Sequence, residues 1–204
     1  PLFRSLDGGR FVAVPTYLSA KPGRIFRATV LENGEAVATA SVPASDGIPA
    51  VLELPSPRAW SPEDPHLYDL RYEVLDGDDA VDAVSGYAGL RKVHVEGDTF
   101  YLNNRPLFLR LVLDQGFYPD GIWTAPSDAA LKRDIELSMR AGFHGARLHQ
   151  KVFEERFHYW ADRLGYLTWG ESASWGLNLS GNHPGQARTT VPAEAGSSTE
   201  ARRV

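Results

Sequence analysis

Residues 160–171 read WADRLGYLTWGE. This stretch joins the end of an apolar helix face to Gly165, where a helix-ending glycine is expected, and then to a short apolar strand at Tyr166–Trp169. A carboxylate, Glu171, follows closely after the strand. A helix, a glycine and a buried strand in this order predict one repeat of a parallel α/β fold.

The same order is found immediately upstream. Leu107–Leu113 is a nearly continuous apolar run, as expected of a parallel strand buried on both faces, and Phe143–His149 reads as a second strand. Ser127 is the expected N-cap of an intervening helix that ends near Gly142. The sequence therefore predicts a parallel α/β region over residues 96–180. The apolar faces of its two helices are predicted at Leu131, Ile135 and Met139, and at Phe153, Phe157, Trp160, Ala161 and Leu164.

Residues 1–95 have a different pattern, in which short β-prone runs are separated by turn signals. Asn33-Gly34, Asp46-Gly47 and Asp76-Gly77 are turn dipeptides because Asn, Asp and Gly tolerate positive φ. Apolar residues alternate in Ile25–Leu31, which buries one face of a strand. These features predict an antiparallel β-sandwich. The predicted strands are Arg10–Tyr17, Arg24–Leu31, Glu35–Val42, Ala50–Leu54, Tyr68–Leu75 and Ala80–Gly86.

Residues 181–204 lose all periodicity and are rich in Gly, Ala, Ser, Thr, Pro and Arg. Such a segment buries too little apolar surface to offset the entropy lost on ordering, so a disordered tail is expected. Two origins remain open for it: a natural flexible tail, or a frameshift or assembly error that replaced the true continuation.

The composition of the 204 residues excludes several classes of function. The net charge of −5 argues against nucleic acid or an anionic membrane as a partner, because both require a basic face. The sequence has no cysteine, so disulfides and thiolate metal sites are excluded. No apolar run approaches the ~20 residues of a membrane helix, which favours a soluble protein. The compartment, cytoplasmic or secreted, stays undetermined because the chain begins at Pro1 and the true N-terminus is expected to be missing.

Several motifs, taken in order, are similar to family 2 of the glycoside hydrolases, the β-galactosidase and β-glucuronidase family. Residues 60–70 and 87–93 resemble the late strands of the family's middle domain. Residues 100–110 resemble the entry strands of its catalytic barrel, and residues 133–137 and 141–147 resemble the first helix and second strand of that barrel. Residues 160–171 match a motif made of an Asp, a Gly, an apolar strand and a closing Glu.

The resemblance implies an immunoglobulin-like β-sandwich over residues 1–95, followed by an incomplete (β/α)8 TIM barrel over residues 96–180. It also implies a retaining hydrolase of O-glycosyl bonds that takes a β-glycoside or oligosaccharide substrate and uses no cofactor. In the family the acid/base follows the fourth barrel strand and the nucleophile follows the seventh. Both catalytic carboxylates are therefore expected beyond this chain, which would be inactive alone.

Seven residues are expected to contact substrate, because polar groups after barrel strands form the active face of such enzymes. Three roles are open for Asp114 and Glu171. They could be the catalytic pair, although the resemblance places that pair elsewhere. They could instead hydrogen-bond sugar hydroxyls or hold neighbouring side chains, or form a structural salt bridge such as Glu171 with Arg147. Loop tryptophans can stack on a sugar face, whereas Trp169 is expected to fill the core. A single histidine without spaced companions does not indicate a metal site. The seven predicted residues are Asp114, Arg147, His149, Gln150, Glu171, Trp123 and Trp175.

A second class of function remains open, in which the chain is not an enzyme. The compact first region would then be a carbohydrate-binding or docking module. The sugar is also left open, because the family often shows Arg-x-x-His-Tyr-Pro where residues 147–152 read RLHQKV.

Overall fold

The computed structural model describes residues 2–5, 9–19 and 21–173. The chain divides into two compact units, Pro1–Phe108 and Leu109–Val204. The predicted disordered tail at residues 181–204 lies outside the described residues. Most of the described secondary structure is β-strand, and the helices are confined to the second unit.

Two antiparallel sheets form the main body of the first unit. A three-stranded sheet has the order β1-β2-β5, and a four-stranded sheet has the order β4-β3-β6-β7. The strands are β1 (Leu2–Ser5), β2 (Arg10–Ala13), β3 (Ile25–Glu32), β4 (Glu35–Pro43), β5 (Ala50–Glu53), β6 (Tyr68–Asp76) and β7 (Asp79–Ala88). All six predicted strands of this region are therefore present, and β1 is an additional one.

A single apolar core lies between these two sheets. Phe11 and Leu52 come from the three-stranded sheet, and Val30, Tyr68 and Leu70 come from the four-stranded sheet. The alternation predicted in β3 is confirmed, since Phe26, Ala28 and Val30 are buried while their neighbours are not. Asn33 and Gly34 both have positive φ, 53° and 84°, which is the conformation that a tight β3–β4 hairpin requires.

The first unit also contains a small antiparallel sheet, part of which lies at residues 100–110, where the resemblance placed the entry strands of the barrel. It has the order β10-β9-β8, with β8 at Val93–Glu96, β9 at Thr99–Leu102 and β10 at Arg105–Leu107. Asn103 and Asn104 have φ of 52° and 63° and form the turn between β9 and β10. The expected continuous strand at Leu107–Leu113 is therefore wrong: Leu107 ends this hairpin, and a new strand begins at Leu111.

The second unit contains three parallel strands and two helices. Its sheet has the order β11-β12-β13, and both pairings are parallel. The elements are β11 (Leu111–Asp114), α1 (Asp128–Arg140), β12 (Gly145–Leu148), α2 (Glu155–Leu164) and β13 (Leu167–Gly170). The predicted order of strand, helix, strand, helix and strand is confirmed.

The predicted helix boundaries and faces of this unit are also observed. The Ser127 side chain accepts a hydrogen bond from the Ala130 amide, and Gly165 ends α2 in the left-handed conformation with φ 77°. Met139, Trp160 and Leu164 pack at the edge of the core. The buried core consists of Leu131, Ile135, Ala146, Leu148, Phe153, Phe157, Ala161 and Tyr166.

Neither α1 nor α2 is long and apolar enough to cross a membrane, and the same holds throughout the described part of the chain.

Candidate functional site: the carboxyl edge of the parallel sheet

Polar side chains collect at the edge of the second unit where its three parallel strands end. Asp114 is the last residue of β11, His149 and Gln150 follow β12, and Glu171 follows β13. Because the strands are parallel and in register, their carboxyl ends lie along one edge of the sheet. We call Asp114, Arg147, His149, Gln150 and Glu171 the carboxyl edge.

An ion pair joins two neighbouring strands at this edge. Arg147 donates from Nε to Glu171 Oε1, and the backbone amide of Gln150 donates to Glu171 Oε2 over 3.2 Å. The hydrogen bond from Arg147 is the main reason that the pKa of Glu171 lies below its ordinary value. Glu171 is therefore an ionised acceptor, with both carboxylate oxygens already engaged.

This contact is the structural salt bridge considered for Glu171 in the sequence. Although Arg147 lies within β12, its side chain is 47% exposed, against 20% for Glu171. The strand explains the difference, because side chains alternate across a sheet: Ala146 and Leu148 face the core and Arg147 faces the opposite side.

Asp114 holds the loop that follows β11. Its Oδ1 accepts from the Gly116 amide over 2.8 Å, and its carbonyl accepts from the His149 amide over 2.8 Å. Gln115 Nε2 lies 3.2 Å from His149 Nδ1 and adds a side-chain contact between the same two loops. Two of the predicted residues, Asp114 and His149, are thus brought together.

Lys151 belongs to the same region, although sequence reasoning did not select it. Its ammonium donates to the carbonyl oxygens of Gly116 at 3.2 Å and Trp123 at 2.8 Å, and it lies 4.8 Å from the centre of the Phe153 ring. Lys151 therefore ties the loop after β11 to the loop after β12. The sequence signal that could have identified Lys151 was a cationic residue two positions after the predicted strand at 143–149.

An exposed aromatic pair lies on the loop after β11. Trp123 is 59% exposed and its ring centroid lies 5.7 Å from that of Phe117, which is 57% exposed. Trp123 thus has the accessible ring face that stacking on a sugar requires. Trp169, expected in the core, is 46% exposed, so that interpretation is wrong. Trp175 lies outside the described residues.

The chemistry available at the carboxyl edge is hydrogen bonding and charge. Within residues 2–5, 9–19 and 21–173, no three His, Asp or Glu side chains cluster in a way that could hold a metal ion. The carboxylates of Asp114 and Glu171 accept hydrogen bonds, and Arg147, Gln150 and Lys151 are donors. Such alternating donors and acceptors, beside an exposed tryptophan, suit a polyhydroxylated ligand.

Comparison with known proteins gives consistent matches. Residues 23–91 match the family described as glycosyl hydrolases family 2. The chain is 30% identical over 143 residues to a Formosa agariphila protein provisionally described as a beta-glucuronidase. It is 29% identical over 142 residues to a beta-galactosidase of Vibrio cholerae. These matches cover 68% and 69% of the chain but only 14% of each relative.

A solved structure shows the same fold. The b-glucuronidase from Ruminococcus gnavus, in complex with a C6-substituted uronic isofagomine, superimposes with a TM-score of 0.70 at 21% identity. The superposition covers 82% of this chain and 28% of that protein. The chain therefore spans a small part of the length of the proteins that it matches.

Proposed function

Because the chain is related to the glycosyl hydrolases of family 2, we propose that it is a segment of a retaining enzyme that hydrolyses O-glycosyl bonds in carbohydrate metabolism. In this proposal the sandwich of the first unit is the family's immunoglobulin-like domain. The strands β11, β12 and β13 are the first three of a (β/α)8 barrel. The family match over residues 23–91 lies in the first unit, and the 143-residue match to the Formosa agariphila relative is longer than that unit, which supports this arrangement.

The observation that carries the proposal is the carboxyl edge. Active sites of (β/α)8 enzymes are built at the C-terminal ends of the strands. Here Asp114 ends β11, His149 and Gln150 follow β12, and Glu171 follows β13. Polar residues at the same end of each strand are what a sugar-binding face would need.

In our proposal Asp114 and Glu171 bind or position substrate and are not the catalytic pair. A retaining glycosidase needs two carboxyl groups ~5–5.5 Å apart, one protonated as the acid and one free as the nucleophile. Glu171 is held by Arg147 and by the Gln150 amide, and its lowered pKa opposes a role as the acid. Asp114 is held by the Gly116 amide. This segment is therefore expected to be inactive by itself.

The substrate we propose is a β-glucuronide or a β-galactoside, the two classes named among the relatives. His149 and Gln150 would contact sugar hydroxyls, and Trp123 would stack on the ring; Trp175, close after Glu171 in sequence, is proposed for the same role. Arg147 would contribute by holding Glu171 in place.

The test combines turnover and binding on the 204-residue chain. We expect no release of nitrophenol from 4-nitrophenyl β-glucuronide or β-galactoside. We expect methyl β-glucuronide or methyl β-galactoside to shift the NMR amide signals of residues 114–116 and 147–151. Trp123→Ala should weaken this binding, whereas Val51→Ala, an exposed position on the sandwich, should leave it unchanged.

Two outcomes would contradict the proposal. Turnover that Glu171→Gln abolishes would make Glu171 catalytic and the segment active. If the NMR signals of residues 114–116 and 147–151 do not shift at any sugar concentration, the carboxyl edge is not the binding face.

A further inference from the structure

The first unit contains an open cleft of about 520 Å³, and its lining residues all belong to that unit. One wall is the segment that follows β2, residues 14–17, and the other is the four-stranded sheet at β6 and β7. In that sheet Tyr72 lies opposite Val84 and Val74 opposite Asp82, on the face that elsewhere forms the core. Val84 nevertheless remains 58% exposed. The cleft therefore lies where the described part of the three-stranded sheet leaves its partner uncovered.

The floor of the cleft is aromatic. Tyr72 stacks on Phe26 with ring centroids 5.9 Å apart and an interplanar angle of 15°, and both residues line the cleft. Phe26 is buried and Tyr72 is only partly buried, so the tyrosine is the ring nearer to solvent. A flat aromatic surface of this kind packs against the C–H face of a sugar ring.

Two polar groups that line the cleft, the Tyr17 hydroxyl and the Asp82 carboxylate, have unused hydrogen-bonding capacity. The Tyr17 hydroxyl is shielded from solvent and has no hydrogen-bond partner among the described residues. A hydroxyl in that state lacks a bond that water or a ligand would supply. Asp82 is exposed, and no ion pair or hydrogen bond engages its carboxylate in the described part of the chain. The Tyr17 backbone is fixed by its amide, which donates to Asp46 Oδ1 over 2.8 Å.

The charge of the cleft is close to balanced. Glu73, which also lines it, is 5% exposed and pairs with Arg27 and with Arg71, each over 2.9 Å. Its negative charge is thus already compensated, and Asp82 is left as the single uncompensated charge among the described lining residues. A strongly charged ligand of either sign has no matching cluster here.

We propose that this cleft binds a neutral saccharide, independently of the carboxyl edge. The volume falls within the ~300–1,000 Å³ of ordinary ligand sites, and a mostly apolar lining with a few polar groups is the usual composition of such sites. The sugar ring lies over Tyr72, one hydroxyl exchanges a hydrogen bond with the Tyr17 hydroxyl, and another donates to Asp82. The sandwich is then a carbohydrate-binding module in its own right.

The test is NMR titration of the 204-residue chain with lactose, cellobiose and methyl β-glucuronide. We expect at least one of the two neutral disaccharides to shift the signals of residues 14–17, 72 and 82–84 at millimolar concentration, and the anionic glucuronide to bind them more weakly. Tyr17→Phe removes only the hydroxyl and should weaken the binding by about fivefold to tenfold, as the loss of one hydrogen bond does. Asp82→Asn is the second variant, because an exposed position poses little risk to folding.

Val95→Ala, at a position of β8 that is 55% exposed and does not line the cleft, is the matched control and should leave the cleft signals and their affinity unchanged. The proposal is overturned if none of the three sugars shifts these signals up to ~50 mM, a concentration well beyond millimolar affinity. It is also overturned if Tyr17→Phe and Asp82→Asn, both shown to be folded by circular dichroism, bind as tightly as the parent chain. A negative result at the cleft would not contradict the proposed glycosidase function, because that function is tested by the signals of residues 114–116 and 147–151.

Discussion

The ion pair between Arg147 and Glu171 links the ends of β12 and β13, positions that are 24 residues apart in sequence. A lone carboxylate after a strand admits several roles, and the sequence left more than one of them open for Glu171. The neighbouring strand supplies its salt-bridge partner, because parallel pairing places Arg147 beside the residues that lead to Glu171. At the residue scale, function therefore depends on which side chains the sheet brings next to each other.

The contribution of this pair is measurable by a double-mutant cycle. We expect Arg147→Gln and Glu171→Gln to show a coupling energy of about 0.5–1 kcal/mol, the range for partly exposed pairs, measured by urea unfolding. Adding 1 M NaCl should reduce it, because salt screens exposed charges. A coupling of zero at low salt would show that the contact does not stabilise the second unit.

The same pair gives a prediction for pH. Since the folded-state pKa of Glu171 is lowered from the ordinary 4.5, the stabilisation is complete above that value and is lost as the pH falls through the folded-state pKa. The coupling energy should therefore be constant from about pH 6 to 8 and decline below about pH 4.5. Measuring the double-mutant cycle at neutral pH and again below about pH 4.5 tests the sign of this pH dependence. The exposed pair of Lys132 and Glu136 within α1 provides a comparison cycle, with Lys132→Gln and Glu136→Gln.

At the scale of the elements, helix α1 depends on one polar contact at its start. The Ser127 side chain accepts from the Ala130 amide over 3.2 Å, which satisfies one of the amides that lack a partner in the first helical turn. Ser127→Ala should destabilise the second unit by about 1 kcal/mol, whereas Ser127→Asn should cost only a few tenths. Hydrogen exchange of the first-turn amides of α1 would show the difference, and equal protection in the two variants would contradict the capping role.

The close approach of β12 and β13 depends on a glycine. A Cβ added at Gly145 would lie 2.0 Å from the carbonyl oxygen of Leu167, an impossible contact that only displacement of β13 could relieve. Gly145→Ala should therefore disrupt the pairing and lower the protection of the Leu167 amide, which donates to the His144 carbonyl over 2.9 Å. Gly170→Ala is the matched control, because a Cβ there meets nothing within 4 Å. Unchanged exchange in Gly145→Ala would refute this account.

At the scale of the whole molecule, each unit has its own apolar core. Phe11 is fully buried in the sandwich and Phe157 is 2% exposed in the second unit, and the two clusters have no residue in common. Large-to-small substitution of a buried phenylalanine typically costs ~3–5 kcal/mol. The stability of each unit is therefore expected to depend on its own buried aromatic residues.

This expectation is tested by Phe11→Ala, which should lower amide protection in β2, β3, β5 and β6. Val51→Ala, on the exposed face of the partner strand, should change it little, because Val51 is 41% exposed. Hydrogen exchange followed by mass spectrometry resolves these segments. A loss of protection as large in Val51→Ala as in Phe11→Ala would show that burial does not determine stability here.

The sequence alone determined the order and type of both helices and of most strands, although its local patterns did not predict β1 or the small sheet of β8, β9 and β10. Alternating apolar residues, Asn-Gly and Asp-Gly turns, the Ser127 cap and the Gly165 helix end are local signals, and each acts within a few residues of itself. They were sufficient to predict both helices, the parallel order of strands and the six strands of the sandwich. They also carried the resemblance to family 2, because its motifs follow the same elements.

Tertiary structure alone decided which of these residues meet. The pairing of Arg147 with Glu171, the tie formed by Lys151 and the stacking of Tyr72 on Phe26 each join residues that are distant in sequence. Leu107 was misassigned because an apolar run has the same pattern at the end of a hairpin as in a buried parallel strand. Local sequence specifies backbone conformation, whereas the long-range pairing of strands specifies contacts, and both proposed sugar sites are made of contacts.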